Sequence, residues 1–310
     1  MSAAPRAAEP QACGGVLMVR PAHFGANPET AGSNFFQSAA PGDQDVPARA
    51  AREFDALATA LAAAGIRVIE IAGAAGDALP DEVFPNNWLS LHADGTAVLY
   101  PLLAPNRRRE RRADVLDTLR SQRIFEARRV VDLTALEQRG VYLEGTGSLV
   151  LDRAGRVAYA CLSPRTHPQA LAELGRELDY TLVPFAAADA RGRAIYHTNV
   201  LLAIGTRFAA LCSQAVAPPQ RAALVERLAA GGRDVVDLSF EQLHSFAGNV
   251  LELASGRGPV IALSKTALES LDAAQRRTLE SHGELVAADI ATIERFGGGS
   301  VRCMLCEIPQ

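Results

Sequence analysis

The sequence predicts an α/β fold in which about five ββαβ units are set radially within one domain. Three observations carry that prediction. Four stretches read as β-hairpins, each two short apolar runs split by a Gly-containing turn. An amphipathic helical stretch and then a third short strand follow every hairpin. The third strands, centred near Val68, Val131, Leu182, Val235 and Leu285, lie 63, 51, 53 and 50 residues apart.

The elements follow in order. Gly15–Arg20 reads as a strand, Pro47–Ala64 as a helix and Ile66–Ile71 as a strand, giving an N-terminal copy. The first hairpin joins Asn87–His92 to Thr96–Pro101 through Asp94-Gly95, and Arg107–Gln122 then reads as one helix before Val130–Leu133. The second joins Ser148–Asp152 to Arg156–Leu162. Its helix, Pro168–Leu178, starts on proline and sets Leu171, Leu174 and Leu178 on one side, ahead of the strand Thr181–Phe185. The third joins Val200–Ile204 to Arg207–Cys212, followed by Pro219–Ala230 and Asp234–Leu238. The fourth joins Val250–Ala254 to Pro259–Leu263, followed by Lys265–His282 and Glu284–Ala287.

Composition bounds the function. The chain has 310 residues, 48% apolar, with a formal net charge of −4. That length gives a prior of about two domains, which the repeat turns into a single domain over residues 14–310 behind a loose tail, residues 1–13. The balance of 31 basic and 35 acidic residues lacks the footprint of a nucleic-acid binder. Lys265 is the sole lysine. No apolar run approaches a membrane span, and Met1–Cys13 lacks the pattern of a secretory signal. Five scattered cysteines then suggest reduced thiols in the cytoplasm.

Radial packing brings the starts of the hairpins together, and there the polar residues cluster: Asn86-Asn87, Glu144–Gly147, Tyr196–Asn199, Phe246–Asn249 and Gly297–Cys303. The cluster holds a thiol, an imidazole and a carboxylate. Those are the ingredients of thiolate catalysis, with a nucleophile, a proton shuttle and a group that orients the shuttle. Taken singly, each residue has a plain reading too: Cys303 as a buried thiol, His197 as a structural histidine, Glu144 as part of a turn. The run Gly297-Gly-Gly lets backbone approach a ligand and offers N–H groups, and Arg302 adds charge beside Cys303. Cys161 and Cys212 sit in apolar runs and read as core. No histidine or cysteine spacing fits a four-ligand zinc site, and no Lys-Ser/Thr follows the glycines, so they are not a phosphate loop.

The order Glu144-Gly-Thr-Gly147, His197-Thr-Asn199 and Gly297-Gly-Gly-Ser-Val-Arg-Cys-Met304 resembles the guanidino-group-modifying superfamily. This holds the arginine deiminases, dimethylarginine hydrolases and glycine-type amidinotransferases. Val19–Phe24, Asn27–Ala31, Asn34 with Gln37, Phe84-Pro-Asn-Asn-Trp88 and Tyr196–Asn199 resemble its deiminase-related subgroup proposed to hydrolyse citrulline. The resemblance runs from about residue 15 to 308. It implies a five-bladed ββαβ propeller of the pentein type. It implies Cys303 as nucleophile, His197 as general acid/base, Glu144 as its partner, and Arg165 as the holder of a substrate carboxylate. Asn87, Asn199, Phe84 and Asn249 are expected to contact substrate. Phe24, Asn27, Asn34 and Gln37 suggest a lid or an α-amino clamp. No cofactor or metal is implied. The partner is a small amino-acid substrate, and relatives often form homodimers, though no interface is legible.

Two departures bear on the substrate. Arginine-processing members usually carry Asp where this chain has Asn87 and Asn199. An amide cannot offset a guanidinium charge, but it can donate to and accept from a neutral ureido group. Citrulline is therefore the expected substrate, giving ornithine, ammonia and carbon dioxide through a covalent Cys303 intermediate. Glu29 or Asp81/Glu82 gripping a guanidinium would favour arginine or methylarginine instead. Transfer to an amine, the amidinotransferase reaction, stays open at this level.

Overall fold

The computed structural model describes residues 9–38, 45–74, 76 and 78–309. They hold fifteen strands: β1 Gly15–Arg20, β2 Arg67–Ala72, β3 Leu89–Leu91, β4 Thr96–Leu99, β5 Arg129–Asp132, β6 Val150–Asp152, β7 Val157–Cys161, β8 Thr181–Phe185, β9 Leu202–Ile204, β10 Phe208–Leu211, β11 Asp234–Asp237, β12 Leu251–Ser255, β13 Gly258–Ser264, β14 Glu284–Ala288 and β15 Cys306–Ile308. They form five three-stranded sheets. In each, the middle strand runs antiparallel to one neighbour and parallel to the other, as β4 does with β3 and β5. The parallel step needs a crossover, and a helix supplies it.

Four sheets are contiguous in sequence. The fifth is closed by both ends of the chain: β1 pairs with β2 in parallel and with β15 antiparallel, Leu17 opposite Cys306. The N-terminal copy thus takes its missing strand from near the C-terminus. Strands β15 and β3, β6 and β9, and β9 and β12 pack against one another, so the short first strands of the units adjoin.

The helices follow the sequence pattern with informative exceptions. Pro168–Leu178 begins after His167, whose ring accepts from Gln169 N, and buries Leu171, Leu174 and Leu178. The expected helix Lys265–His282 is two, Lys265–Ser270 and Ala273–Glu280. Leu271 is extended, and Asp272 starts the second helix with a capping box to Gln275. The expected Arg107–Gln122 divides likewise into a 3₁₀ segment, Pro105–Glu110, and a helix, Ala113–Ser121, with Arg111 and Arg112 extended between them. Arg111 there pairs with Glu137 and Arg112 with Asp114.

Residues 9–13 differ from the expected tail, while 1–8 lie outside the described residues. Glu9 is buried and accepts from Arg153 Nη1 at 2.6 Å and Tyr180 Oη at 3.1 Å. Gln11 Nε2 donates to the carbonyls of Leu151 and Ile204, bridging strands of two sheets. Buried Arg153 also holds Glu307 of β15. A buried guanidinium needs partners on both sides, and this segment supplies one of them. No helix among the described residues is long and apolar enough to cross a membrane.

Candidate active site

Short helical turns lead directly into the first strands, and the singled-out residues sit on them. Asn87 ends the turn Pro85–Asn87, Glu144 precedes Gly145–Ser148, His197 precedes Thr198–Leu201, and Cys303 lies in Val301–Met304. Asn249 stands two residues before β12. Sequence periodicity assigned part of these turns to the strands, because a single helical turn carries too few residues to show its own period.

The glycines of Glu144-Gly-Thr-Gly147 make the close approach possible. A Cβ on Gly145 would lie 2.1 Å from Asn86 O, and its φ is +47°. A Cβ on Gly147 would lie 2.6 Å from Asn87 Nδ2 and 2.7 Å from His197 Nδ1. Gly147→Ala is therefore expected to displace both side chains. Because misplacements of about 1 Å can cost about 100-fold in rate, kcat should fall by about that factor with the thermal midpoint little changed. Steady-state kinetics beside a melting curve check this.

A narrow cavity is lined by Asp81, Asn87, Arg107, Arg165, His197 and Cys303, with Phe84, Asn34, Tyr196 and two glycines around them. His197 Nε2 lies 2.8 Å from Glu144 Oε2, which also accepts from Arg165 Nη1 at 3.2 Å. Glu144 is fully buried, which would raise its carboxyl. The charges of Arg165 and Arg107 and the His197 contact outweigh this and hold it well below the usual carboxylate range. Ionised Glu144 puts the His197 proton on Nε2 and leaves Nδ1 for chemistry. Burial pulls His197 down to about 4, against the hydrogen bond and charge of Glu144, so the imidazole is neutral near neutral pH.

Arg107, which the sequence reading placed on a charged helix, is buried in the site. It forms a fork to Glu110, 2.9 Å on each side, and donates to Asn87 Oδ1 at 2.9 Å. Asn87 Nδ2 donates to Asn86 Oδ1. The amide oxygen of Asn87 is thus committed to Arg107, and its NH₂ points toward Gly147 and His197. Asp81 Oδ2 accepts from Asn27, while Asp81 Oδ1 is buried without a partner. Burial pushes the Asp81 carboxyl up, against the charge of Arg107 and the Asn27 hydrogen bond. Of the other acids considered, Glu82 is spent on the N–H groups of Ala22 and Ala74, and Glu29 on that of Asn106.

Several expectations are corrected. Asn199 and Asn249 are absent from the cavity lining. Both aim Nδ2 at Cys303 Sγ, each at 3.3 Å. Arg302 spends its guanidinium on Glu307 and the carbonyl of Leu305. The glycine run serves packing: a Cβ on Gly297 would meet the Phe84 ring at 2.7 Å, and the Gly297 carbonyl accepts from Asn34 and Gln37. Arg165, besides Glu144, donates to Ser33 Oγ and Thr30 O, so it ties the covering segment around residues 27–38 to the site. Asn27, Asn34 and Gln37 fasten that same segment. Asp81 and Arg107 are cavity residues that no periodic signal marks, and only the adjacency of Asp81 to Phe84-Pro-Asn-Asn pointed to one of them, whereas Tyr196 lies in the stretch Tyr196–Asn199 already singled out. Among the described residues, no three of His, Cys, Asp or Glu are grouped to hold a metal ion.

A family model described as N,N dimethylarginine dimethylhydrolase, eukaryotic, matches residues 20–310. No curated protein matches the sequence. Among solved structures, the substrate-bound N-terminal domain of ArgZ, an arginine dihydrolase from the ornithine-ammonia cycle in cyanobacteria, is similar at 17% identity and a TM-score of 0.70. That match covers 96% of this chain and 98% of that one. AgrE in ternary complex with ornithine and NAD⁺ gives 19% and 0.72, covering 96% of this chain and 39% of that one. A dimethylarginine dimethylaminohydrolase adduct with S-methyl-L-thiocitrulline gives 15% and 0.66, covering 95% and 99%. At such identities the likeness is one of fold. The match of the family model over nearly the whole length decides the family: the chain belongs to the N,N-dimethylarginine dimethylhydrolase family, within the pentein guanidino-modifying superfamily.

Proposed function

We propose that this protein is a cysteine-dependent hydrolase of the ureido group of a citrulline-like amino acid, carried on a five-bladed ββαβ propeller that forms one catalytic domain over residues 14–310. The observation that carries the reading is which carboxylate oxygens in and around the cavity already have partners. Glu144 is saturated by His197 and Arg165, and Glu110 by Arg107. Asp81 is the one cavity-lining carboxylate with an unpartnered oxygen among the described residues. Asp81 Oδ2 is held by Asn27 and lies 3.5 Å from Arg107 Nε, so the open Oδ1 is left to accept from one donor group, the α-ammonium of an amino acid. Arginine would bring a second cation, the guanidinium, to a site with no further open carboxylate oxygen among the described residues. The Asn87 NH₂ group supports the same reading, since it can only donate. A ureido oxygen accepts, whereas a guanidinium has only donors.

In this mechanism Cys303 Sγ attacks the ureido carbon, and its proton passes to Nδ1 of His197. Glu144 stabilises the imidazolium. A group that titrates near 4 in the resting site is a strong acid once protonated. His197 then gives the proton to the departing amine of ornithine, leaving a carbamoyl thioester on Cys303. Water, deprotonated by His197, releases carbamate, which breaks down to ammonia and carbon dioxide.

The second reading is hydrolysis of arginine, favoured by the names of the neighbours ArgZ and the dimethylarginine enzyme. Incubation with citrulline, arginine and dimethylarginine, with ornithine, citrulline and ammonia quantified, separates them. Ornithine from citrulline is expected. Turnover of arginine with none of citrulline would overturn the charge argument.

A further inference from the structure

The two asparagines at Cys303 form an arrangement that substrate contact does not explain. Asn199 Nδ2 and Asn249 Nδ2 both donate to Sγ at 3.3 Å. The Asn249 amide cannot be turned over, because the same Nδ2 donates to the backbone oxygen of Asn199 at 2.8 Å, which an oxygen could not do. The backbone of Asn249 also accepts from Arg302 N, which ties it to the turn bearing Cys303. Both side chains are fully buried, and both Oδ1 atoms lack a partner. Orphaned buried carbonyls are costly and rare. Here two of them accompany two N–H groups trained on one sulfur.

Charged groups that would otherwise assist the sulfur are committed elsewhere. Arg302 is held by Glu307, Arg165 by Glu144 and Ser33, and Arg107 by Glu110 and Asn87. His197 is buried and neutral near neutral pH, so no resting imidazolium faces the thiol. A citrulline-like substrate brings no charge to sulfur either.

We infer that Asn199 and Asn249 are catalytic residues that stabilise the anionic sulfur of Cys303 by paired amide donation, in place of a cationic substrate. Hydrogen bonds to the charged form favour that form. The two amides therefore supply from the protein what a guanidinium would supply from the ligand. The inference rests on Cys303 being the nucleophile. It makes Asn199 part of the sulfur's environment.

The test is alkylation of the substrate-free protein by iodoacetamide, a neutral reagent. The thiolate displaces iodide and forms an S–C bond, its proton having gone to buffer, so the rate follows the thiolate fraction. Carbamidomethylation of the Cys303 peptide is followed by mass spectrometry from about pH 5 to about pH 10. Asn199→Ala and the isosteric Asn249→Asp should move the midpoint upward and slow alkylation near pH 7 by about tenfold, with the high-pH plateau kept. Asn199→Asp should do so at least as strongly, since a carboxylate cannot donate. If an Asn249 variant fails to fold, Asn199→Ala carries the test alone. An unshifted profile in folded Asn199→Ala overturns the inference. Failure of the underlying reading looks different: Cys303→Ser would then retain turnover, whatever the alkylation profile.

Discussion

Cys303→Ser is expected to abolish ornithine formation from citrulline, a fall of about 10⁴-fold or more, with the fold intact. The size of the effect follows from covalent catalysis: residues acting as a unit lose nearly everything when the nucleophile is removed. The intact fold follows from the local structure. The Cys303 backbone N–H bonds Ser300 O within the turn Val301–Met304, and, among the described residues, the hydrogen bonds to the side chain come from the two asparagine amides, while it packs in the core with little volume change on going to serine. A serine oxygen still accepts from both, so neither buried N–H is orphaned, and stability should stay within about 1 kcal/mol. The hydroxyl, in contrast, is far harder to ionise, and neutral His197 is too weak a base to remedy that. Ornithine release and a denaturant midpoint, measured on the same preparation, check the two halves separately. Retained turnover would remove Cys303 from the mechanism.

What the sequence made legible was whatever repeats or whatever clusters at the repeats. Middle strands such as Thr96–Leu99 and third strands such as Thr181–Phe185 sit within a residue or two of their expected places, because apolar runs bounded by turn residues mark them. Cys303, His197, Glu144, Asn87 and Arg165 fall in one place because each stands near the start of a unit or of its helix. Strand β15 was invisible as the fifth sheet's missing member: three residues with no hairpin turn pair with β1 across almost the whole chain. Arg107 was hidden in Arg107–Arg112, a run of five arginines and one glutamate, where only folding decides which one enters the interior. Residues 9–13 looked like a tail because Glu9 and Gln11 are polar. Their burial depends on Arg153 and on free carbonyls of distant strands, which no local pattern announces. The opposite ends of the amides at Asn87 and Asn199 were likewise unreadable, since orientation comes from partners, Arg107 for one and Cys303 for the other.

Glu144→Gln is expected to lower kcat by about 10³ to 10⁴-fold, mainly through His197. In the native site one carboxylate meets four donors: His197 Nε2 and Arg165 Nη1 on Oε2, Leu103 N on Oε1, and Arg107 at 3.7 Å. A glutamine has one oxygen. If it faces His197 and Arg165, its NH₂ abuts the N–H of Leu103. If it faces Leu103, its NH₂ abuts two donors and forces His197 into the wrong tautomer. Either choice leaves a buried donor unpaired and two guanidinium groups less compensated, a loss of about 3–5 kcal/mol for breaking a buried pair. The pH dependence then has a definite sign. The folded-state carboxyl of Glu144 lies below its ordinary value, so its stabilisation is present above about pH 4.5 and is lost as pH falls through the folded value. The gap in stability between native protein and variant should thus be widest near neutral pH and should narrow in acid. His197 adds a loss in acid to the native protein: the unfolded chain protonates near 6.5 and the folded one near 4, so stability falls as pH drops across that window. Equal stability at neutral pH would show that Glu144 does not balance Arg165, and kcat within about tenfold of native would show that it does not orient His197.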